Sequence, residues 1–137
     1  MANSHYEKYL YFRTVADEDD DDAAADAIAL PSRRISAIAP RTDGSVIVWF
    51  ESVNNMHTNG DNEEVIKDSV ILNITTHTHK DVMRAIIQAI NGGPHSDGWV
   101  VVADDTTTDF DGSTRAAVYL HKNITDCGAI TIVAANT

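Results

Sequence analysis

The chain has 137 residues, 43% of them hydrophobic, and carries 10 Lys plus Arg against 21 Asp plus Glu, a formal net charge of −11. That length allows one domain, residues 1–137, and argues against two; a domain of this size buries roughly 70% of its unfolded surface and needs no disulfide or metal staple. The composition excludes a disordered or fibrous chain, and its average field repels a phosphate backbone, which makes nucleic acid an unlikely partner.

From Tyr6 to Thr14 the residues are rich in aromatics, which suit a pleated, half-buried strand better than a helix. Six like charges follow at Asp17-Glu18-Asp19-Asp20-Asp21-Asp22, a run no regular element accommodates, so it reads as a loop. Ile28-Ala29-Leu30 is a short strand closed by Pro31, which offers no amide hydrogen to a ladder, and another strand spans Ile35 to Ala39. Thr42-Asp43-Gly44-Ser45 signals a hairpin turn. Beyond it Val46-Ile47-Val48-Trp49-Phe50 is apolar at even and odd positions alike, so both faces of that strand want cover. Asn54 to Asn62 is a polar loop, and Val65 to Thr75 contains Val70, Leu72 and Ile74 at period two.

The spacing predicts one helix, near residues 79–91. Thr78 is placed to cap it, Asp81 complements its positive start, and Val82, Ile86 and Ile90 with Met83 and Ile87 form an apolar stripe. Asn91-Gly92-Gly93-Pro94 stops it. Trp99 to Ala103 reads as a buried strand, and Ala116 to His121 and Ala129 to Ala134 supply two more. The expected fold class is α+β, mostly β: a curled antiparallel sheet, barrel or sandwich, of about eight short strands with the single helix inserted late.

Motifs for chemistry are sparse. The acidic run lacks the glycine-bearing spacing of a calcium loop, and Asp109-Phe110-Asp111-Gly112-Ser113 copies only the middle of an EF-hand, with Thr107 and Val118 where its first and last ligands belong. His77 and His79 offer half a zinc site without the other half. There is no nucleophile elbow and no phosphate-cradling glycine loop. Cys127, the lone cysteine, is expected in a turn before the last strand as a buried structural thiol. Asn73-Ile74-Thr75 and Asn123-Ile124-Thr125 match the glycosylation pattern as strand residues do by chance. No catalytic residue, metal ligand or cofactor is therefore assigned. No stretch approaches the roughly 18 apolar residues of a membrane span, and Met1-Ala2-Asn3-Ser4-His5 lacks a signal peptide's apolar core, so neither membrane nor export is expected.

What stands out instead is apolar strand surface beyond what one sheet and one helix cover, a mark of assembly. Tyr6, Tyr9, Tyr11, Phe12 and Trp49 are candidate interface residues. Arg33, Arg34 and Arg41 join them, because in an oligomer the acidic run of one copy meets this basic stretch of the next.

The opening His5-Tyr6-Glu7-Lys8-Tyr9-Leu10-Tyr11-Phe12-Arg13, the stretch from His79 to Asn91, the stretch from Asp97 to Asp105, and Ile124-Thr125-Asp126-Cys127-Gly128-Ala129-Ile130-Thr131 resemble small virion structural proteins of marine cyanophages and related tailed phages. The resemblance implies a non-enzymatic virion component made in the host cytoplasm. Foremost among such components is a capsid decoration or cement protein that oligomerises and binds the major capsid protein or other virion proteins; a vertex, connector or tail-associated subunit is the alternative. Sea-water salt, at roughly half molar, shortens the Debye length to about 4–5 Å, so apolar contacts must supply much of the adhesion there. The N-terminal strand and the loop Asn54 to Asn62 are the expected contacts. Two rival classes remain: a ring-forming small-barrel nucleic-acid binder using Arg33, Arg34, Arg41 and the tyrosines, and a metal-dependent enzyme using Asp104, Asp105, Asp109 and Asp111.

Overall fold

A computed structural model describes residues 8–16, 23–51, 67–92, 98–109 and 111–132. In chain order the elements are β1 (Tyr9–Arg13), β2 (Ala27–Pro31), a 3-10 turn (Ser32–Arg34), β3 (Ile35–Thr42), β4 (Ser45–Glu51), β5 (Lys67–Ile74), α1 (His79–Asn91), β6 (Trp99–Asp104), β7 (Val118–Tyr119) and β8 (Ile124–Thr131). The strands form two open sheets of four, ordered β2-β1-β6-β7 and β3-β4-β5-β8. The sandwich is realised, and not a closed barrel. One pairing departs from the antiparallel expectation: β1 and β6 run parallel, which is possible because the whole of β3, β4, β5 and α1 lies between them as a crossover.

Alternation explains the core. On β1, Leu10 and Phe12 are fully buried, as are Val46, Val48 and Phe50 on β4, and Val70 and Leu72 on β5. The inner faces of the two sheets meet where the Phe12 ring stands edge-on to Phe50, centroids 5.9 Å apart and planes at 78°, a favoured aromatic geometry. The wish of Val46 to Phe50 for cover on both faces is met on one: Ile47 and Trp49, pointing the other way, are half-buried.

The two open sides of the sandwich are sealed differently. On one, β8 reaches the first sheet: the Cys127 amide donates to the Asp105 carboxylate and the Thr14 hydroxyl donates to the Cys127 carbonyl at 3.1 Å. On the other lies α1, with Val82, Ile86 and Ala89 buried. Its ends are held in ways the sequence did not announce. The Thr78 hydroxyl does not cap the helix amides; it donates to the Thr75 carbonyl at 2.6 Å, while His79 Nε2 bonds the Thr42 carbonyl of the β3–β4 hairpin at 2.6 Å. At the far end Gly92 is extended rather than left-handed, and the helix carbonyls are satisfied by Lys8, whose Nζ donates to Ala89 O at 2.9 Å and Gly92 O at 2.8 Å. A cation from β1's threshold thus meets the negative end of the helix.

The last strand also begins earlier than expected. β8 starts at Ile124, not Ala129, so Cys127 lies within a strand and pairs with Leu72 rather than occupying a turn. Between the pairs Val70↔Ile130 and Leu72↔Cys127 the β8 side carries one extra residue, a bulge. Gly128 sits in it so close to β5 that a Cβ there would meet the Ile71 carbonyl oxygen at 2.9 Å. The predicted strand Ala116 to His121 shrinks to the two residues of β7, whereas β3 runs on to Thr42.

Truncating Phe12→Ala should cost about 3–5 kcal/mol of stability in urea unfolding, and Tyr9→Ala on the opposite face about 1 kcal/mol or less. Equal losses would contradict the placement of these two neighbours on opposite faces.

Candidate interaction surfaces

The outward side chains of β1 share a face with their pairing partners. Tyr9 stands beside Trp99 and Pro31, Tyr11 beside Val101 and Ala29. Tyr9 is 42% exposed and Trp99 45% exposed, and the Tyr11 and Trp99 rings lie 4.8 Å apart, tilted by 32°. None of these six described residues is charged, on a chain with net charge −11. Of the predicted interface residues, the structure brings together Tyr9 and Tyr11. It removes Phe12, which is fully buried against Phe50, because the residue that follows the outward Tyr11 points inward. Tyr6, the acidic run and the loop Asn54 to Asn62 lie outside the described residues. Trp49 belongs to the outer face of the other sheet, half-buried beside Ala37 and Ser69.

Trp99 was missed as an interface residue, because Trp99 to Ala103 reads as one continuous buried run. Its alternation carried the signal: Val100 and Val102 are buried, which turns Trp99 and Val101 outward.

Arg33 and Arg34 lie in the turn before β3, which is at the edge of its sheet among the described strands, and Arg41 lies near the end of β3 itself. Between β3 and α1 runs a second surface, an open groove of about 680 Å³. Ile35, Ala37, Ile38 and Pro40 line it from the strand, and Met83 and Ile87 from the helix, where Ile87 is 44% exposed. The helix stripe anticipated from sequence is wider than the core needs: Val82, Ile86 and Ala89 face inward, and Met83 and Ile87, one position on, face the groove.

The carboxylates proposed for metal chemistry are each engaged within the fold. Asp104 Oδ1 accepts from the Thr106 amide at 2.9 Å and the Thr106 hydroxyl at 2.5 Å, and its other oxygen lies 3.6 Å from Arg115. Arg115 also reaches Asp109 at 3.5 Å, while Asp111 accepts from the Ser113 amide and hydroxyl, bonds that hold its carboxyl below the ordinary range. Asp105 takes the Tyr119 hydroxyl at 2.6 Å and the Cys127 amide at 3.1 Å. Among the described residues no three His, Cys, Asp or Glu side chains are grouped so as to hold a metal ion. His77 occupies a left-handed turn at φ 67° and His79 bonds Thr42, so the pair serves local structure. No described helix is long and apolar enough to cross a membrane.

The corner joining β6, β7 and β8 has its own electrostatics. Burial raises the Asp105 carboxyl above its usual value, against the lowering pull of the Tyr119 and Cys127 hydrogen bonds. Burial, then the Asp105 bond and charge, raises the Tyr119 phenol. The Cys127 thiol is pushed up to about 12 by burial first and by the charges of Asp105 and Asp126 second. It is a structural cysteine.

No family model matches the chain, and no curated protein or solved structure matches it.

Two outcomes follow for this corner. With a thiol near 12, the thiolate fraction at pH 8 is about one in ten thousand, so Cys127 should react with iodoacetamide at least about a hundredfold more slowly in the native chain than in urea; comparable rates would mean the thiol is not sealed. Asp105 titrates higher folded than unfolded, so its contribution to stability is greatest while protonated and is lost as pH rises through the folded value. The melting temperature of wild type relative to Asp105→Asn should therefore fall from about pH 3 to about pH 7. A difference independent of pH would refute the burial cost.

Proposed function

We propose that this chain is a non-enzymatic structural subunit of a phage particle, of the decoration or cement type, held to its own copies and to the major capsid protein or other virion proteins by the outer face of its first sheet. The observation that carries the reading is the uncharged patch of Tyr9, Tyr11 and Trp99 with Pro31, Ala29 and Val101 on an otherwise acidic molecule. Two half-exposed aromatics on a rigid sheet are the kind of anchor from which interfaces draw most of their energy. Rigid strands also hold the rings in place before contact, which lowers the entropy lost on binding.

A particle component works by burying area and matching potentials, and needs no reactive group. The engagement of Asp104, Asp105, Asp109 and Asp111 with internal partners is compatible with that and gives the metal-enzyme alternative little to work with. In salty surroundings the apolar patch keeps its strength while charge contacts between surfaces fade. A vertex, connector or tail-associated subunit would use the same face, and the position of the chain on the particle separates these sites.

Serum raised against the chain should label intact phage particles from the source of the gene, with the chain detected in the same particles by mass spectrometry. Particles that lack it would overturn the assignment. By light scattering, the wild type at high concentration should exceed the 14.9 kDa of one chain, and Tyr9→Ser with Trp99→Ser should return the mass toward it with the circular dichroism unchanged. A wild-type monomer that also fails to bind particles would remove this face from the mechanism.

A further inference from the structure

The groove between α1 and β3 has a character different from the aromatic face, and it lies on the other sheet. Its described lining is aliphatic except for His79, Lys80 and Arg84, all from the first half of α1, and includes no Phe, Tyr or Trp, no hydroxyl and no carboxylate. His79 Nε2 is taken up by the Thr42 carbonyl. No hydrogen bond or ion pair among the described residues engages the charged ends of Lys80 and Arg84. Helix physics makes this pair a cost to the fold. Spaced i, i+4, the two like charges face each other one turn apart, and Lys80 lies in the first turn, where the positive end of the helix dipole disfavours a cation. Asp81 answers the helix start but does not line the groove. Two cations thus stand on the wall of an aliphatic groove without a described counter-charge, on a chain with net charge −11.

We propose that this groove binds a single-chain aliphatic carboxylate, a free fatty acid of medium length, with its carboxylate between Lys80 and Arg84 and its chain along Met83, Ile87 and the aliphatic side chains of β3. A carboxylate shared by an arginine and a lysine gains charge-assisted hydrogen bonds and relieves the repulsion between them. The alkyl chain takes from water the apolar surface of the groove, Ile87 above all, which is 44% exposed. A mostly apolar cleft with a few convergent polar groups is the common form of a small-molecule site, and about 680 Å³ lies within its usual size. The lining runs about 17 Å along β3 from Ile35 to Pro40 and about 12 Å along α1 from His79 to Ile87. An extended chain of roughly ten to twelve carbons has that reach.

The same lining argues against larger occupants. An extended peptide brings backbone amides and carbonyls that must find partners, and this groove offers few: Ser36 is engaged by the Trp49 carbonyl at 3.3 Å, and Pro40 has no amide to donate. An alkyl chain has no such groups to satisfy. A second copy docked symmetrically through this groove would gather two lysines and two arginines with no carboxylate in the described lining between them.

The test adds sodium dodecanoate, kept below its micelle concentration, to the full chain and follows binding by titration calorimetry and amide chemical shifts, with dodecyltrimethylammonium and butanoate as controls. Dodecanoate should bind at one site per chain, lose affinity as salt rises, and shift amides of β3 and α1. The cationic probe with the same chain and the carboxylate with the short chain should each bind at least about tenfold more weakly. Lys80→Glu with Arg84→Glu should weaken dodecanoate by a similar factor while the free chain melts at the same temperature or higher, because the fold gains nothing from those two cations. Ile87→Gln, at a half-exposed helix position, should weaken it without loss of helicity. The proposal is overturned by no saturable binding up to millimolar dodecanoate, by equal affinity for the two dodecyl probes, or by shifts confined to the outer face of the first sheet. Attachment to phosphatidylglycerol vesicles without binding of monomeric dodecanoate overturns it in favour of a lipid surface. A dimer in light scattering that Ile87→Gln dissolves overturns it in favour of a second copy, and an octapeptide of alternating valine and glutamate that displaces dodecanoate at lower concentration does so in favour of a protein partner. Because Tyr9→Ser with Trp99→Ser leaves this groove intact, that variant should bind dodecanoate as the wild type does, whatever becomes of the particle assignment.

Discussion

The alternation of side chains along β1 from Tyr9 to Phe12, held against its partner β6, is the constraint from which most of this molecule follows. Leu10 and Phe12 point into the space between the sheets and Phe12 meets Phe50 edge to face, so the two sheets are fastened near their centre. The same alternation turns Tyr9 and Tyr11 out beside Trp99. A shift of β1 by one residue would bury two phenols without partners and expose a leucine and a phenylalanine, exchanging core and surface at once. Core and candidate interface are two consequences of one register, and selection on either holds the other in place.

Much of the fold was legible where the signal is local. The helix spans His79–Asn91 as its spacing predicts, the Thr42-Asp43-Gly44-Ser45 turn joins β3 to β4, and the strand ending at Pro31 ends there. What escaped is non-local. The parallel pairing of β1 with β6 joins residues about ninety apart, and nothing in either segment names the other. The start of β8 was obscured by Gly128, which reads as a turn glycine but serves a bulge pressed on Ile71. Helix capping failed for a related reason. Thr78 has the right chemistry at the right position, yet its hydroxyl finds the Thr75 carbonyl, and the far end depends on Lys8, eighty-one residues before Ala89.

The candidate surfaces were legible by halves. Tyrosines at period two announce an outward face, and three arginines near one strand announce a basic stretch. Neither pattern shows that Trp99 completes the first or that Lys80 and Arg84 line a groove beside β3, because those residues come together only through tertiary structure. Phe12 was assigned to the surface by its company in an aromatic run, but it follows the outward Tyr11 and turns inward, and the alternation then lapses at the buried Arg13 beyond the β6 register shift.

The acidity of the chain divides into two kinds with different consequences. Aspartates at the β6–β7–β8 corner are spent on structure: Asp105 joins Tyr119 to the amide of Cys127, and Asp104 holds Thr106 while facing Arg115. The remaining excess sets the long-range field, against which the groove between β3 and α1 differs in having Lys80 and Arg84 and no acidic side chain in its lining. The two surfaces then respond oppositely to ionic strength. Uncharged aromatics lose little when the Debye length contracts, whereas a cationic rim retains only contacts closer than a few ångströms. In concentrated salt the aromatic face keeps its apolar character, while Lys80 and Arg84 act only at contact distance. In dilute salt the field of the whole chain reaches further, and its net charge opposes the approach of identical copies. The fold thus keeps its uncharged aromatic face and its cation-lined groove on different sheets, so ionic strength acts on one of them and leaves the other nearly unchanged.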